Sequence, residues 1–144
     1  MTDFDTIADD WDILEPDDRY RLLIDLGRDL DDMPAALKTD STKVRGCSAS
    51  VWVYPVPTDT DRLRFLADSD AAITKGIVAL ILALVQNRPA GEVAALDIAD
   101  RLRPFELDKH LSSNRTQGVP NMIALVKDTA DRLAAGELAG KDAA

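Results

Sequence analysis

Phe4, Ile7, Ala8, Trp11 and Leu14 recur at steps of three and four, the spacing of one apolar face of a helix, and Pro16 ends or redirects it. The acidic stretch EPDD opens a second helix, on which Tyr20, Leu23, Ile24 and Leu30 repeat the spacing and early carboxylates complement the helix dipole. From Met33 to Lys43 the pattern fails, and Pro34, Thr39, Asp40, Ser41 and Thr42 mark a loop. Ser50 to Val56, SVWVYPV, is rich in β-branched and aromatic residues. Arg62 to Ala67 alternates Leu63, Phe65 and Ala67 with Arg62 and Arg64. These predict two antiparallel strands joined through Thr58 to Asp61, with Pro55 and Pro57 placing the first at an edge or ending it near there, and Trp52 and Tyr54 in the core or on a sheet face.

Asp68, Ser69 and Asp70 offer N-cap chemistry for a third helix running to about Asn87. Its GIVALILALV run, Gly76 to Val85, is apolar nearly all round and roughly half the ~20 residues that cross a bilayer, so it predicts a buried core helix. Pro89 to Leu111 predicts short helices broken at Asp97 and Pro104. Asn114 and Gln117 stand in capping-box spacing before a last amphipathic helix carrying Met122, Ile123, Val126, Ala130 and Leu133. Pro120 requires that helix to kink or to start late. The whole predicts an α+β domain over residues 1–135, with a small antiparallel sheet packed against several helices and a flexible tail over 136–144.

The chain has 144 residues, enough for one domain with its own core, and its net charge of −9 makes nucleic acid and anionic membrane poor partners. The start carries Asp3, Asp5, Asp9, Asp10 and Asp12 in place of the basic and apolar segments of a secretory signal, which predicts a soluble cytoplasmic protein. The single cysteine, Cys47, cannot form an internal disulfide or hold a structural metal by itself. It sits in KVRGCSAS. Lys43 and Arg45 beside the sulfur would lower its pKa and enlarge the thiolate fraction, and Gly46 would let the loop bend. Cys47 as a small buried hydrophobe is the competing reading. His110, the sole histidine, would be the base of a self-sufficient cysteine hydrolase or transferase, against a plain helix-end role. The carboxylates of ADSDA are explained by capping, and Arg115 suits a surface, anion or partner contact equally.

VRGCSASVW (Val44 to Trp52), ADSDAAITKGIVALILAL (Ala67 to Leu84) and HLSSNRTQGVPNMI (His110 to Ile123) resemble, in order and spacing, the SufE family of sulfur acceptor proteins. The resemblance covers nearly the whole chain. It implies a fold similar to that of the U-type iron–sulfur scaffolds and no cofactor on this chain. It implies a PLP-dependent, SufS-like cysteine desulfurase as the partner that the protein activates, and a Suf scaffold complex as the recipient. Cys47 matches the family's acceptor cysteine, which carries sulfur as a persulfide on a loop thought to shelter it and swing out on docking, with Gly46 as the hinge candidate. Asp70, His110 and Arg115 match recurrent positions near the acceptor side, as docking or loop-packing candidates. One cysteine disfavours a cluster scaffold, and a free monomer is expected. Ser48, Ala49 and Ser50 stand where many relatives have a Gln-Ser-Gln-like stretch, and Pro120 also departs from the pattern.

Overall fold

A helix with apolar side chains on every face must be enclosed, and α3 (Ala72–Val85) is the centre of this molecule: its residues from Gly76 to Val85 are buried except Ala83. The computed structural model describes residues 3–136. Two N-terminal helices, α1 (Phe4–Ile13) and α2 (Pro16–Arg28), cover one side of α3, and Pro16 takes the first turn of α2, where its missing N–H costs nothing. Phe4, Ile7 and Trp11 are the buried stripe of α1, and Phe4 and Trp11 pack tilted on Phe105 at ring distances of 5.5 and 5.2 Å. The strands β1 (Val51–Pro55) and β2 (Phe65–Ser69) pair antiparallel from Val51 opposite Ser69 to Pro55 opposite Phe65. Val51, Val53, Phe65 and Ala67 are buried, while Trp52, Tyr54, Leu66 and Asp68 occupy the other, half-buried face.

After α3 come the short helices α4 (Ala90–Ala94), α5 (Ile98–Leu102), α6 (Leu107–His110) and α7 (Ser113–Thr116), then the long α8 (Val119–Ala134). A 3-10 turn, Ala35–Leu37, interrupts the loop after α2, and a second, Arg103–Phe105, follows α5. Asp97 both breaks the chain and caps α5, its carboxylate accepting from the Asp100 N–H. Lys127 of α8 donates to the carbonyls of Val93, Ala94 and Leu96, so a cation satisfies the carbonyl end of α4 and ties it to α8. The α+β class with a small antiparallel sheet is as expected. No helix among the described residues is long and apolar enough to cross a membrane. The tail expected over 136–144 lies, apart from Gly136, outside the described residues.

Three expectations are corrected. The second strand spans Phe65–Ser69 rather than Arg62–Ala67. Leu63 and Phe65 point inward as the alternation requires, but Leu63 exchanges backbone hydrogen bonds with Asn87 and Arg88 beyond α3 and Arg62 bridges Pro89, which takes residues 62 and 63 off the main ladder, while the Arg64 carbonyl still accepts from the Val56 N–H at 2.9 Å. Asp68 and Ser69 consequently end a strand, and neither they nor Asp70 cap α3, whose N-cap is Ala71 with no side-chain hydrogen bond. Asp68 instead receives Lys38 at 2.5 Å and Lys75 at 3.2 Å. Burial raises its carboxyl, but hydrogen bonds from Lys38, the Ser69 N–H and Lys75 outweigh it and hold the pKa below the usual carboxylate range. Asn114 lies inside α7, whose N-cap is Ser112, so the predicted capping box does not form. Pro120 falls in the first turn of α8, and the late start removes any need for a kink.

The helices α2 and α3 meet at backbone distance. A β-carbon on Gly76 would stand 2.1 Å from the Leu23 carbonyl oxygen, and one on Gly27 would meet the Gly76 nitrogen at 3.0 Å. Because the first obstacle is main chain that no rotamer change can clear, Gly76→Ala is expected to destabilise by about 3 kcal/mol or more in urea unfolding, and Gly27→Ala by less. A neutral Gly76→Ala would show that the two helices are not held in backbone contact.

Candidate functional site

Residues on either side of Cys47 pair with each other and close its loop. The Val44 N–H donates to the Val51 carbonyl at 2.7 Å, the Val53 N–H donates to the Thr42 carbonyl at 2.9 Å, and Lys43 bridges Trp52. Asp70, just past β2, braces the base from the other side. Its Oδ1 accepts from the Ser50 N–H at 3.1 Å, and its own N–H donates to the Ser50 carbonyl at 3.2 Å. The Ser69 hydroxyl donates to the same carbonyl at 2.8 Å. The segment from Arg45 to Ala49 therefore projects from a fixed stem, with Cys47 at its tip.

The tip lies on the N-terminal end of α8. A β-carbon on Gly118 would stand 2.0 Å from Cys47 Sγ and 3.2 Å from Cys47 Cβ, so the thiol fills the space that any other side chain at 118 would occupy. Two polar contacts flank it. The Asn121 Nδ2 donates to the Arg45 carbonyl at 2.7 Å, and the Ser48 hydroxyl donates to the Asn114 carbonyl at 2.5 Å. Gly46 has φ +82°, left-handed backbone that favours glycine, and it faces Asn121, whose amide nitrogen would be 2.6 Å from a β-carbon there. Cys47 is half-buried against the core, and no hydrogen bond reaches its sulfur among the described residues.

Burial pushes the Cys47 thiol up from its ordinary value, which corrects the expectation that Lys43 and Arg45 lower it. Both cations are exposed and do not offset the desolvation. In this position the sulfur is held as a protonated, weakly nucleophilic thiol. Lys43, Arg45 and Arg115 have a further property in common. Every other described lysine and arginine has a carboxylate, carbonyl, ring or other partner, whereas these three side chains have none among the described residues. Lys43 and Arg45 belong to the loop, and Arg115 adjoins Asn114, which holds Ser48.

Of the residues expected from sequence, the fold gathers Lys43, Arg45, Gly46, Cys47 and Asp70 into the loop and its stem, and sets Arg115 beside it. His110 is engaged elsewhere. Its Nε2 accepts from the Arg19 guanidinium at 2.9 Å, its carbonyl accepts from the Tyr20 hydroxyl at 2.6 Å, and its ring meets Trp11 edge-on at 6.0 Å. The lone pair that a catalytic base would use is thus already occupied. Gly118, Asn121 and Asn114 were missed as site residues because each meets the loop only through the tertiary fold.

A family described as "SufE: Fe-S metabolism associated domain" matches residues 5–130. The chain belongs to the SufE family. It is 38% identical over 135 residues to an uncharacterized SufE-like protein of Rhizobium meliloti (strain 1021), covering 91% of this chain and 96% of that one. A SufE-like protein of Rhizobium etli is 35% identical over 134 residues, covering 90% of each. A protein of Wigglesworthia glossinidia brevipalpis named cysteine desulfuration protein SufE is 26% identical over 114 residues, 79% of each chain. SufE membership and that relative support a role in iron–sulfur metabolism. The solution structure of a hypothetical protein from Thermus thermophilus has the same fold, with TM-score 0.74 over 92% of this chain and 96% of that one at 12% identity.

Gly118→Ala tests the seat of the sulfur. The new methyl must displace the Cys47 side chain into solvent, so its alkylation at neutral pH is expected to rise by about threefold to tenfold and its thiol pKa to fall, one pKa unit being a factor of ten in thiolate. Unchanged labelling in a folded Gly118→Ala protein would contradict the arrangement.

Proposed function

We propose that this SufE-family protein accepts sulfur on Cys47 from the persulfide of a PLP-dependent cysteine desulfurase and delivers it for iron–sulfur cluster assembly. The observation that carries the reading is the placement of the sole cysteine at the tip of a loop whose stem is fixed by backbone pairing and whose tip is held by two side-chain hydrogen bonds, with Lys43 and Arg45 on the loop and Arg115 next to Asn114 lacking side-chain partners among the described residues. On a chain of net charge −9, such a patch favours a partner whose surface around its own cysteine is acidic.

The transfer balances without a cofactor on this chain. The Cys47 thiolate attacks the terminal sulfur of the partner's persulfide. A new sulfur–sulfur bond forms as the old one breaks, and the partner's cysteine leaves as a thiolate. No net oxidation occurs, and the proton lost by Cys47 passes to solvent or to the departing thiolate. Attack requires the sulfur to be ionised and approachable, and the seat on Gly118 opposes both, so acceptance takes place with the tip displaced. A recipient of the same general kind, presenting a thiolate, then removes the sulfur by the reverse chemistry. The hydrolase alternative finds no support, because the His110 ring is held by Arg19 on α2.

The test is intact mass after incubation with an active cysteine desulfurase and L-cysteine, beside a Cys47→Ala control. One added sulfur atom, removed by reductant and absent from the control, is expected. No adduct with several active desulfurases would overturn the reading and leave Cys47 as a packing residue.

A further inference from the structure

The stem of the Cys47 loop and its tip are held by very different means. Below Val44 and Ser50 the loop is secured by backbone pairing and by the reciprocal Ser50–Asp70 contacts. Above them, two hydrogen bonds link the tip to the rest of the described residues: Ser48 to the Asn114 carbonyl, and Asn121 to the Arg45 carbonyl. The two bonds differ in what moves. Ser48 is an exposed hydroxyl of the loop reaching outward. Asn121 is a residue of α8, and its amide comes from the helix that also carries Gly118, the seat of the sulfur, at its N-cap.

Asn121 also acts where the loop turns. Its Nδ2 donates to the carbonyl of Arg45, the residue immediately before Gly46, and lies over the Gly46 α-carbon closely enough that a β-carbon there would collide with it. Gly46 is the positive-φ position of the loop. The amide therefore fixes the orientation of the Arg45–Gly46 peptide on the side toward α8, and any swing of the tip that rotates this peptide must break that bond. The helix supports this placement: Asn121 stands in the first turn of α8, where its N–H donates to the Gly118 carbonyl.

We propose that Asn121 is the latch of the acceptor loop, a positioning residue that sets how often Cys47 leaves its seat on Gly118. This rests on Cys47 being the working thiol, and its test is separable from that reading. In the seated state the half-buried thiol is protonated and packed on Gly118, so it reacts slowly there, and a rise in labelling rate reports a larger released population when reseating is fast. Loss of one hydrogen bond of ordinary net strength enlarges that population by about twofold to tenfold.

The experiment compares alkylation of Cys47 in the full chain, as purified, with Asn121→Ala and Asn121→Asp, at several urea concentrations below unfolding. Asn121→Asp keeps the shape but has no N–H to donate to the Arg45 carbonyl. Both variants are expected to label about twofold to tenfold faster without urea, with a rate nearly independent of urea, as local release of a few residues exposes little surface. Labelling at the wild-type rate in both variants overturns the latch. So does an increase that carries the full urea dependence of global unfolding, since that would make Asn121 an ordinary stabilising residue. Sulfur loading by a desulfurase, measured in parallel, separates the two claims. Faster labelling with no loading in any form supports the latch while the acceptor reading fails, and normal loading with unchanged labelling removes the latch and leaves the acceptor.

Discussion

The enclosure of α3 organises this protein. An apolar helix cannot face water on any side, so α2 is drawn so close that its Leu23 carbonyl occupies the place of a side chain on Gly76, and the two-stranded sheet is laid over another face. The consequence reaches the cysteine. Because β2 runs directly into α3, the turn between them is fixed in space, and Asp70 in that turn fixes Ser50 and with it the stem of the loop. The helices that follow α3 bring Asn114, Gly118 and Asn121 to the other side. The sulfur is thus held between the segment entering the core helix and the helix that closes the fold.

This arrangement reconciles two demands on a sulfur-carrying thiol. To accept sulfur it must ionise and meet another chain, whereas between encounters a bare thiolate or persulfide would react with any passing thiol or oxidant. Seating Cys47 on Gly118 keeps the thiol protonated by desolvation, and the contacts that seat it are few enough to be exchanged for contacts with a partner. The cations that sequence places beside the sulfur act on a different scale from the one expected of them. Exposed and without partners among the described residues, they do not lower the resting thiol pKa, but they set the sign of the surface that a partner meets.

Much of the fold was legible in the sequence because it rests on local periodicity. The stripes Phe4–Ile7–Trp11 and Met122–Val126–Ala130–Leu133, the all-round apolar run of α3 and the alternation Leu63–Phe65–Ala67 each report burial that the structure reproduces. What failed was the local reading of polar residues. Asp68 has the chemistry of an N-cap, but two ammonium groups distant in sequence claim it, and the ladder to β1 runs through Ser69 before the helix begins. Asn114 has capping chemistry and instead offers its carbonyl to Ser48. The left-handed φ of Gly46 comes from the fold, whereas Cys47 was legible as the candidate thiol from its setting and Gly46 as a place where its loop can bend. The seat was not, since nothing in QGVPN indicates that a glycine at 118 leaves room for a sulfur whose residue lies far earlier in the chain.

The account turns on one claim, that the resting thiol is suppressed by its seat and released by a partner. The direct measurement is the pH dependence of Cys47 alkylation, read on the Cys47 peptide by mass spectrometry, for the free protein and for its complex with a cysteine desulfurase whose own nucleophilic cysteine is replaced by serine. The account predicts a midpoint above the ordinary cysteine range in the free protein, which falls in the complex while the rate at neutral pH rises. The same midpoint and rate in both states, or a free protein already reactive as a thiolate at neutral pH, would contradict it.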